Sequence, residues 1–555
     1  MKTRVIQNHP EELPKGGAAV VASDDAKRGS SNNRAGRLRG WSSTHRRLSL
    51  LGALVLLAVV IGVIALAKKS NSVATAPITP AAGGGSPDYA AIDRYVRDEM
   101  DAQRIPGLAL GIVHEGRIVH LRGFGKADES GRAVTPQTLF FNGSTTKSFT
   151  ALAIMQLREA GKLELDSPVQ RYLPWWRVAD AKASVRITVR QLLYQVSGLS
   201  KATGNEHATT TDNRASALQD QVRALRSAKL VGTVGETWQY SNANYNTLGM
   251  IVQAVSEQPY ETYVREHILS PLGMRDSVMS VAAAKQHGLV TGYRYWFGFP
   301  FAVGQPWNRG NLPAGGLISN VQDMSHYLTA QVNGGRYGTK SILSRAGMAE
   351  LHRAGVPTGH DDVDYAMGME VRTTNGIRTV AHDGSNFNAH ANLVLIPDGK
   401  WGIILMENAE NSPDEFFGSR RMSGIADGVT SMVKGKQAAS TGTSAAVWIV
   451  FGIVFAIIAL QFAGITRSAR RFRRRPPKGF PRIGLAIGLP LALSLLWAFI
   501  VLIGVPQKVG APLSALLTGM PDLGYLLLIS VVVGLAWALA KSVWAALTLR
   551  RTPAA

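Results

Sequence analysis

The chain has 555 residues, room for a large domain with additions, and its 60 Lys and Arg against 38 Asp and Glu leave a net charge of +22. It has no cysteine, which excludes disulfides and thiolate metal sites. The charge alone would suit nucleic acid or a membrane, but no RNA- or DNA-binding motif accompanies it, and the basic residues crowd beside long apolar runs.

Residues 1–47 form a polar, basic tail too poor in apolar residues to fold alone. "LSLLGALVLLAVVIGVIALA", residues 48–67, is uncharged and long enough to predict a first transmembrane helix. "ALA" at 65–67 and "ATA" at 74–76 resemble signal-peptidase sites. The long run and the long tail before it favour an uncleaved anchor. Residues 68–87 read as a linker, ending in "AAGGGSP". Residues 88–436 read as one folded domain and 437–444, "QAASTGTS", as a second linker. Residues 445–555 predict a three-helix membrane module with spans near Ala445–Ile465, Ile483–Val505 and Leu523–Leu549. The basic loop "RSARRFRRRPPKGFPR", residues 467–482, separates the first two of these.

The positive-inside rule places the tail, this loop and Arg550–Arg551 in the cytoplasm. The expected protein is therefore a multi-pass member of a bacterial plasma membrane, with its folded domain extracytoplasmic. Its expected partners are membrane lipid and a small-molecule or peptide acyl substrate. The C-terminal helices are a candidate docking surface for a membrane protein, and no nucleic acid is expected. A transport role for these helices is disfavoured, because they hold almost no ionisable residue. Asp522 sits at an interface, and Lys541 is close enough to an end to snorkel.

Within the folded region, "YAAIDRYVRDEMDAQ" has helical spacing, and "GLALGIVHEGRIVHLRGFG" predicts a hairpin turning at "HEGR". "SFTALAIMQLREAGKL" predicts a helix capped by Gly161. Helices and loops fill the middle, and "GIRTVAHDG", "HANLVLIP" and "KWGIILMEN" predict strands near the end. That order predicts one sheet built from both ends with a helical part inserted, an α/β (α+β) class.

Ser144 and Lys147 stand three apart at the start of a predicted helix, on one face. A serine needs a base to become a nucleophile, and a desolvated lysine can serve. A helix N-terminus adds N–H groups suited to an oxyanion. The S-x-x-K spacing is common by chance and decides nothing alone. Two later stretches change its weight. "GETWQYSNANYNTLG" sets Tyr240 and Asn242 before a helix, and "AHDGSNFNAHANLVLIPDG" sets His382, Asp383 and Gly384 in a strand.

Ser-x-x-Lys, Tyr-x-Asn and His-x-Gly, in that order, resemble the serine beta-lactamase-like hydrolases. That family includes class C beta-lactamases, penicillin-binding proteins, family VIII esterases and D-aminopeptidases. "GKLELDSPVQRYLP", "ITVRQLLYQVSGL", "PLGMRDS" and "PAGGLISNVQDMSHYL" extend the resemblance over about residues 88–410. It implies a beta-lactamase-like fold, an antiparallel sheet flanked by helices plus a helical subdomain. It also implies an acyl-enzyme at Ser144, Lys147 sharing its proton, and Tyr240 serving the nucleophile and leaving group. Asn242, His382 and Gly384 would contact substrate or line its site, with an oxyanion hole at the N–H groups of Ser144 and Ser385. No cofactor or metal is implied. The competing reading is a catalytically inactive, penicillin-binding-like envelope protein that binds or senses a ligand.

The third motif departs from the Lys-Thr-Gly form. His382 is mostly neutral at pH 7, and Asp383 adds a negative charge, so substrate carboxylates are expected to be repelled. Neutral esters or amides, or amine-bearing peptides, are favoured over beta-lactams. His390 is expected at the surface more than in the cleft. Glu206, His207, Asp212, His360, Asp361 and Asp362 are ligand types without metal-site spacing. The aromatics of "RYWFGFPFAVGQPW" are left open between substrate wall, core and lipid contact.

Overall fold

Helix α1, Tyr89–Gln103, begins where the Asp88 carboxylate accepts the Ala91 N–H at 2.9 Å. Its Ile92, Val96 and Met100 recur one turn apart and are buried. Strands β1 (Gly107–His114) and β2 (Arg117–Gly125) turn at Glu115 and Gly116. Both turn residues have positive φ, as a two-residue hairpin requires. Helix α2, Thr146–Glu159, stops at Ala160, and Gly161 follows at φ 69°, where a side chain would be strained. Helices α3 (Asn242–Ser256) and α4 (Val321–Val332) complete the central helical framework.

Strands β3 (Val356–Pro357), β4 (Val363–Tyr365), β5 (Glu370–Thr374), β6 (Ile377–Ser385), β7 (His390–Ile396) and β8 (Trp401–Glu407) follow. They form with the first hairpin an eight-stranded antiparallel sheet, ordered β2-β1-β8-β7-β6-β5-β4-β3. Pairing of Leu108 with Glu407 through His114 with Trp401 joins the two ends of the region. The helical part lies between them in sequence, as predicted.

Side chains alternate across the sheet. Val380, Leu393 and Leu395 pack with Phe149 and Leu152 of α2. Ala381, Val394 and Ile403 pack on the other face with Ile92 and Val96 of α1. Ile425 and Val429 of helix α5, Arg421–Val433, share that second core.

Beyond α5 run α6 (Ala445–Arg474), α7 (Phe480–Phe499, extended by further turns to Val509) and α8 (Pro521–Arg550). Trp448–Arg470, Ile487–Val509 and Pro521–Trp544 are long and apolar enough to cross a membrane. The computed structural model describes residues 87–550, apart from 208–209, 361, 375, 411–420, 441–444, 475–479 and 510–511. The predicted tail, the first span and all but the last residue of the first linker lie outside the described residues.

Candidate active site

Ser144 lies in a single 3₁₀ turn, Gly143–Thr145, that runs directly into α2. Gly143 has φ 53°, and a Cβ there would come within 2.8 Å of the Gly384 backbone. A Cβ on Gly384 would lie 2.0 Å from the Asn142 carbonyl. Two facing glycines thus let the serine turn rest against the end of β6, next to Ser385. No other residue pair permits that approach without moving one backbone.

Lys147, the second residue of α2 and one turn beyond Ser144, is fully buried. Its Nζ lies 3.0 Å from Ser144 Oγ, 2.7 Å from Asn242 Oδ1 and 2.8 Å from the Ala314 carbonyl. Burial holds its pKa well below the ordinary lysine value. Asn242 Oδ1 and the Ala314 carbonyl can only accept hydrogen bonds. A neutral amine therefore spends its two N–H groups on them and turns its lone pair to Ser144. Asn242 is oriented in turn by its Nδ2, which donates to Asn205 Oδ1 at 3.0 Å.

The Tyr240 hydroxyl donates to Ser144 Oγ at 2.9 Å. The Tyr240 ring lies 4.9 Å from Lys147 Nζ, 6.5 Å from Trp238 and 6.2 Å from His382. The His382 Nδ1–H donates to the Asp383 carbonyl at 2.6 Å, which fixes the tautomer. Burial first, and the charge of Lys147 second, push His382 down to about 4. The third motif therefore offers a neutral imidazole across the neutral pH range.

The structure brings Ser144, Lys147, Tyr240 and Asn242 into one hydrogen-bonded set, with His382 and Gly384 beside it. Residues 92–425, more than half of the chain, match a family model described as Beta-lactamase. The chain belongs to the beta-lactamase family. Protein flp of Staphylococcus aureus (strain MW2) is 29% identical over 319 residues, 57% of this chain and 62% of its own length. The unguisins hydrolase ungD' of Aspergillus campestris is 28% identical over 336 residues, 57% of this chain and 61% of its own length. This chain thus spans less than two thirds of those relatives.

The octameric penicillin-binding protein homologue from Pyrococcus abyssi superposes with a TM-score of 0.56 at 27% identity, over 63% of this chain and 78% of that one. EstCE1, a hydrolase with promiscuous acyltransferase activity, shares the fold at 21% identity, with a TM-score of 0.50 over 58% of this chain and 93% of that one. The family is that of serine hydrolases, and two of these proteins, EstCE1 and the Aspergillus relative, are named as hydrolases.

Two readings change within this beta-lactamase-family domain, and one left open is divided. Asp383 does not face the site. It alternates with His382 along β6 and points to the second core, where its Oδ2 accepts from Ser423 at 2.8 Å. The expected repulsion of substrate carboxylates by Asp383 therefore has no basis. His390 is not at the surface but buried on that same far face, bonded through Nδ1 to Glu410 at 3.0 Å. The aromatics after Arg294 divide: Tyr295 is buried in the second core and Trp307 packs on the first, while Trp296, Phe297 and Phe299 lie at the tip of a hairpin, Tyr293–Trp296 with Phe299–Ala302, beside the C-terminal apolar helices.

Among the described residues no three His, Asp or Glu side chains converge as a metal site. Asp212 is instead paired with Arg214 at 2.7 Å, and His360 meets Trp238 edge to face. The Ala314 carbonyl and Asn205 were not foreseen. "PAGGLISN" marks the first only as a family segment, and nothing in the sequence marks Asn205.

Proposed function

We propose that this protein is a membrane-anchored extracytoplasmic serine hydrolase that transfers an acyl group from a neutral ester, amide or peptide through Ser144. The observation that carries it is Ser144 Oγ held between Lys147 Nζ at 3.0 Å and the Tyr240 hydroxyl at 2.9 Å. In this reading Ser144 Oγ attacks the substrate carbonyl carbon while its proton passes to Lys147. The N–H groups of Ser144 and Ser385 face the developing oxyanion. The carbon–leaving-group bond then breaks, and the leaving group departs with the proton delivered through the Lys147–Tyr240 pair. Water attacks the acyl-Ser144 ester, and its proton returns to Oγ by the same route.

Substrate class is argued from His382. A neutral imidazole cannot form an ion pair with a substrate carboxylate, whereas a lysine at that point would. Neutral acyl compounds therefore suit this site better than penicillins. The hydrolase name of the Aspergillus relative supports hydrolysis as the net reaction. The extracytoplasmic side is argued from the Arg-rich loop at 467–482, which belongs in the cytoplasm.

A fluorophosphonate probe applied to the full chain in detergent tests the reading. One adduct, mapped to Ser144 and absent from Ser144→Ala, is expected. No adduct on folded protein, from this probe or from a smaller activated ester, refutes it.

A further inference from the structure

The hairpin at 293–302 turns at Phe297 and Gly298, both at positive φ. Its tip is fastened to the start of two apolar helices. The Phe297 N–H donates to Asp522 Oδ2 at 2.9 Å. The Phe297 ring lies tilted against Phe451 at 5.3 Å and Phe455 at 6.0 Å of α6. Arg294 donates through one Nη to the Gly519 carbonyl and through the other to the Phe387 carbonyl. Phe451, Val454, Leu516, Met520 and Leu523 form the buried cluster beneath the tip.

Around this joint, large aromatic rings stay uncovered. Trp296 is 43% exposed, Phe299 62%, Trp448 51% and Tyr525 46%. Trp296 lies 6.5 Å from Tyr525, and Trp448 borders the Gly298 turn. The Arg104 guanidinium sits 4.4 Å over the Phe299 ring and donates to the Gly298 carbonyl at 2.9 Å.

Position along the spans decides what covers these rings. Trp448 opens the first apolar stretch, and Pro521 opens the third. At ~1.5 Å per residue, Phe455 lies roughly 10 Å and Tyr525 roughly 6 Å into those stretches. The hairpin tip therefore reaches the depth of the headgroup–acyl boundary, where Trp and Tyr concentrate in membrane proteins. An exposed guanidinium beside the rings suits the phosphates at that level.

We propose that the hairpin at 293–302 is a membrane-interface foot, seating the catalytic domain on the phospholipid bilayer through Trp296, Phe299, Trp448 and Tyr525. The foot lies next to the candidate active site, because Phe387, tied to Gly519 by Arg294, is two residues from Ser385. A domain held this way is not free to swing on a linker. The proposal rests on the membrane reading of α6 to α8 but not on the chemistry at Ser144.

The absence of cysteine makes a single introduced thiol a unique label site. The full chain would be reconstituted in phosphatidylcholine–phosphatidylglycerol vesicles with a polarity-sensitive fluorophore at Phe299→Cys. Trp296→Cys serves as a second foot site, Val231→Cys as an exposed reference on the catalytic domain and Val532→Cys as a mid-span reference; Val231 is 61% and Val532 57% exposed. Lipids carrying a nitroxide near the headgroup are expected to quench the foot labels at least twofold and to leave the Val231 label unchanged. Foot labels quenched no more than the Val231 label overturn the proposal. Blue-shifted foot labels without lipid quenching also overturn it, since protein would then be the cover. A Val532 label that deep nitroxides fail to quench refutes the membrane reading itself, and the proposal with it.

Discussion

Replacing Lys147 by methionine tests the central feature of the site. The amine is fully buried, burial holds its pKa well below the ordinary lysine value, and two of its three contacts are pure acceptors. If it is the base for Ser144, its loss removes general-base assistance worth ~10²–10⁴ in rate, about 3–5 kcal/mol of barrier. Stability responds differently. The methionine leaves Asn242 Oδ1 and the Ala314 carbonyl without their donor, at a cost of about 1–3 kcal/mol each. It also removes an amine whose proton affinity burial lowers. Because the folded pKa is depressed, the unfolded chain binds more protons, so this site makes wild-type stability rise with pH toward the ordinary lysine value. The gap between wild type and variant should therefore shift in favour of wild type by at most ~1.4 kcal/mol per pH unit. Hydrolysis of an activated ester and denaturant melts from pH 6 to 9 measure both effects. Lys147→Arg keeps charge and donors but cannot serve as a base, so it should be as inactive as the methionine form. An arginine variant with more than a tenth of wild-type kcat/KM would refute the base assignment and leave Lys147 a positioning residue.

Tyr240→Phe should keep the packing against Trp238 and lose the bond to Ser144 Oγ, lowering kcat by ~10²–10³ with little change in Tm. Gly384→Ala should reduce both activity and stability, since its Cβ would meet the Asn142 carbonyl at 2.0 Å and displace the turn that carries Ser144; crystal structures and ester kinetics of the variant check this. Behind the sheet, burial first and then nearby Glu410 and Asp383 raise Glu407 to about 8, against the opposing pull of His390. Glu407 thus folds protonated, and its contribution is lost as pH rises from about 4.5 through about 8. Glu407→Gln should flatten that decline in melting experiments, and an unchanged slope would refute the assignment.

Much of this protein was legible in one dimension because the signals are local. Hydropathy over about 20 residues marks a span, and the three C-terminal runs are helices of that kind. The "HEGR" turn and the Gly161 stop follow from backbone preferences of a few residues. Ser144 and Lys147 lie one turn apart where a 3₁₀ turn runs into α2, so three-residue spacing already placed them together. Tyr240 and Asn242 join them through the resemblance, not through anything local.

Tertiary structure decided what depends on distant pairing. Asp383 and His382 are neighbours in sequence, yet strand alternation sends them to opposite cores, and only the fold says which face holds Ser144. His390 is expected at the surface more than in the cleft until the register places it beside Glu407 and its Nδ1 meets Glu410. The Ala314 carbonyl is a backbone atom, and no side-chain pattern announces it. The aromatic hairpin at 293–302 has the composition of core, wall or lipid anchor alike, and only the fold sets its tip against Phe451, Gly519 and Asp522. Sequence alone determined which segments were apolar, turning or reactive. The three-dimensional fold determined which of them share a face, because that choice belongs to residues hundreds of positions apart.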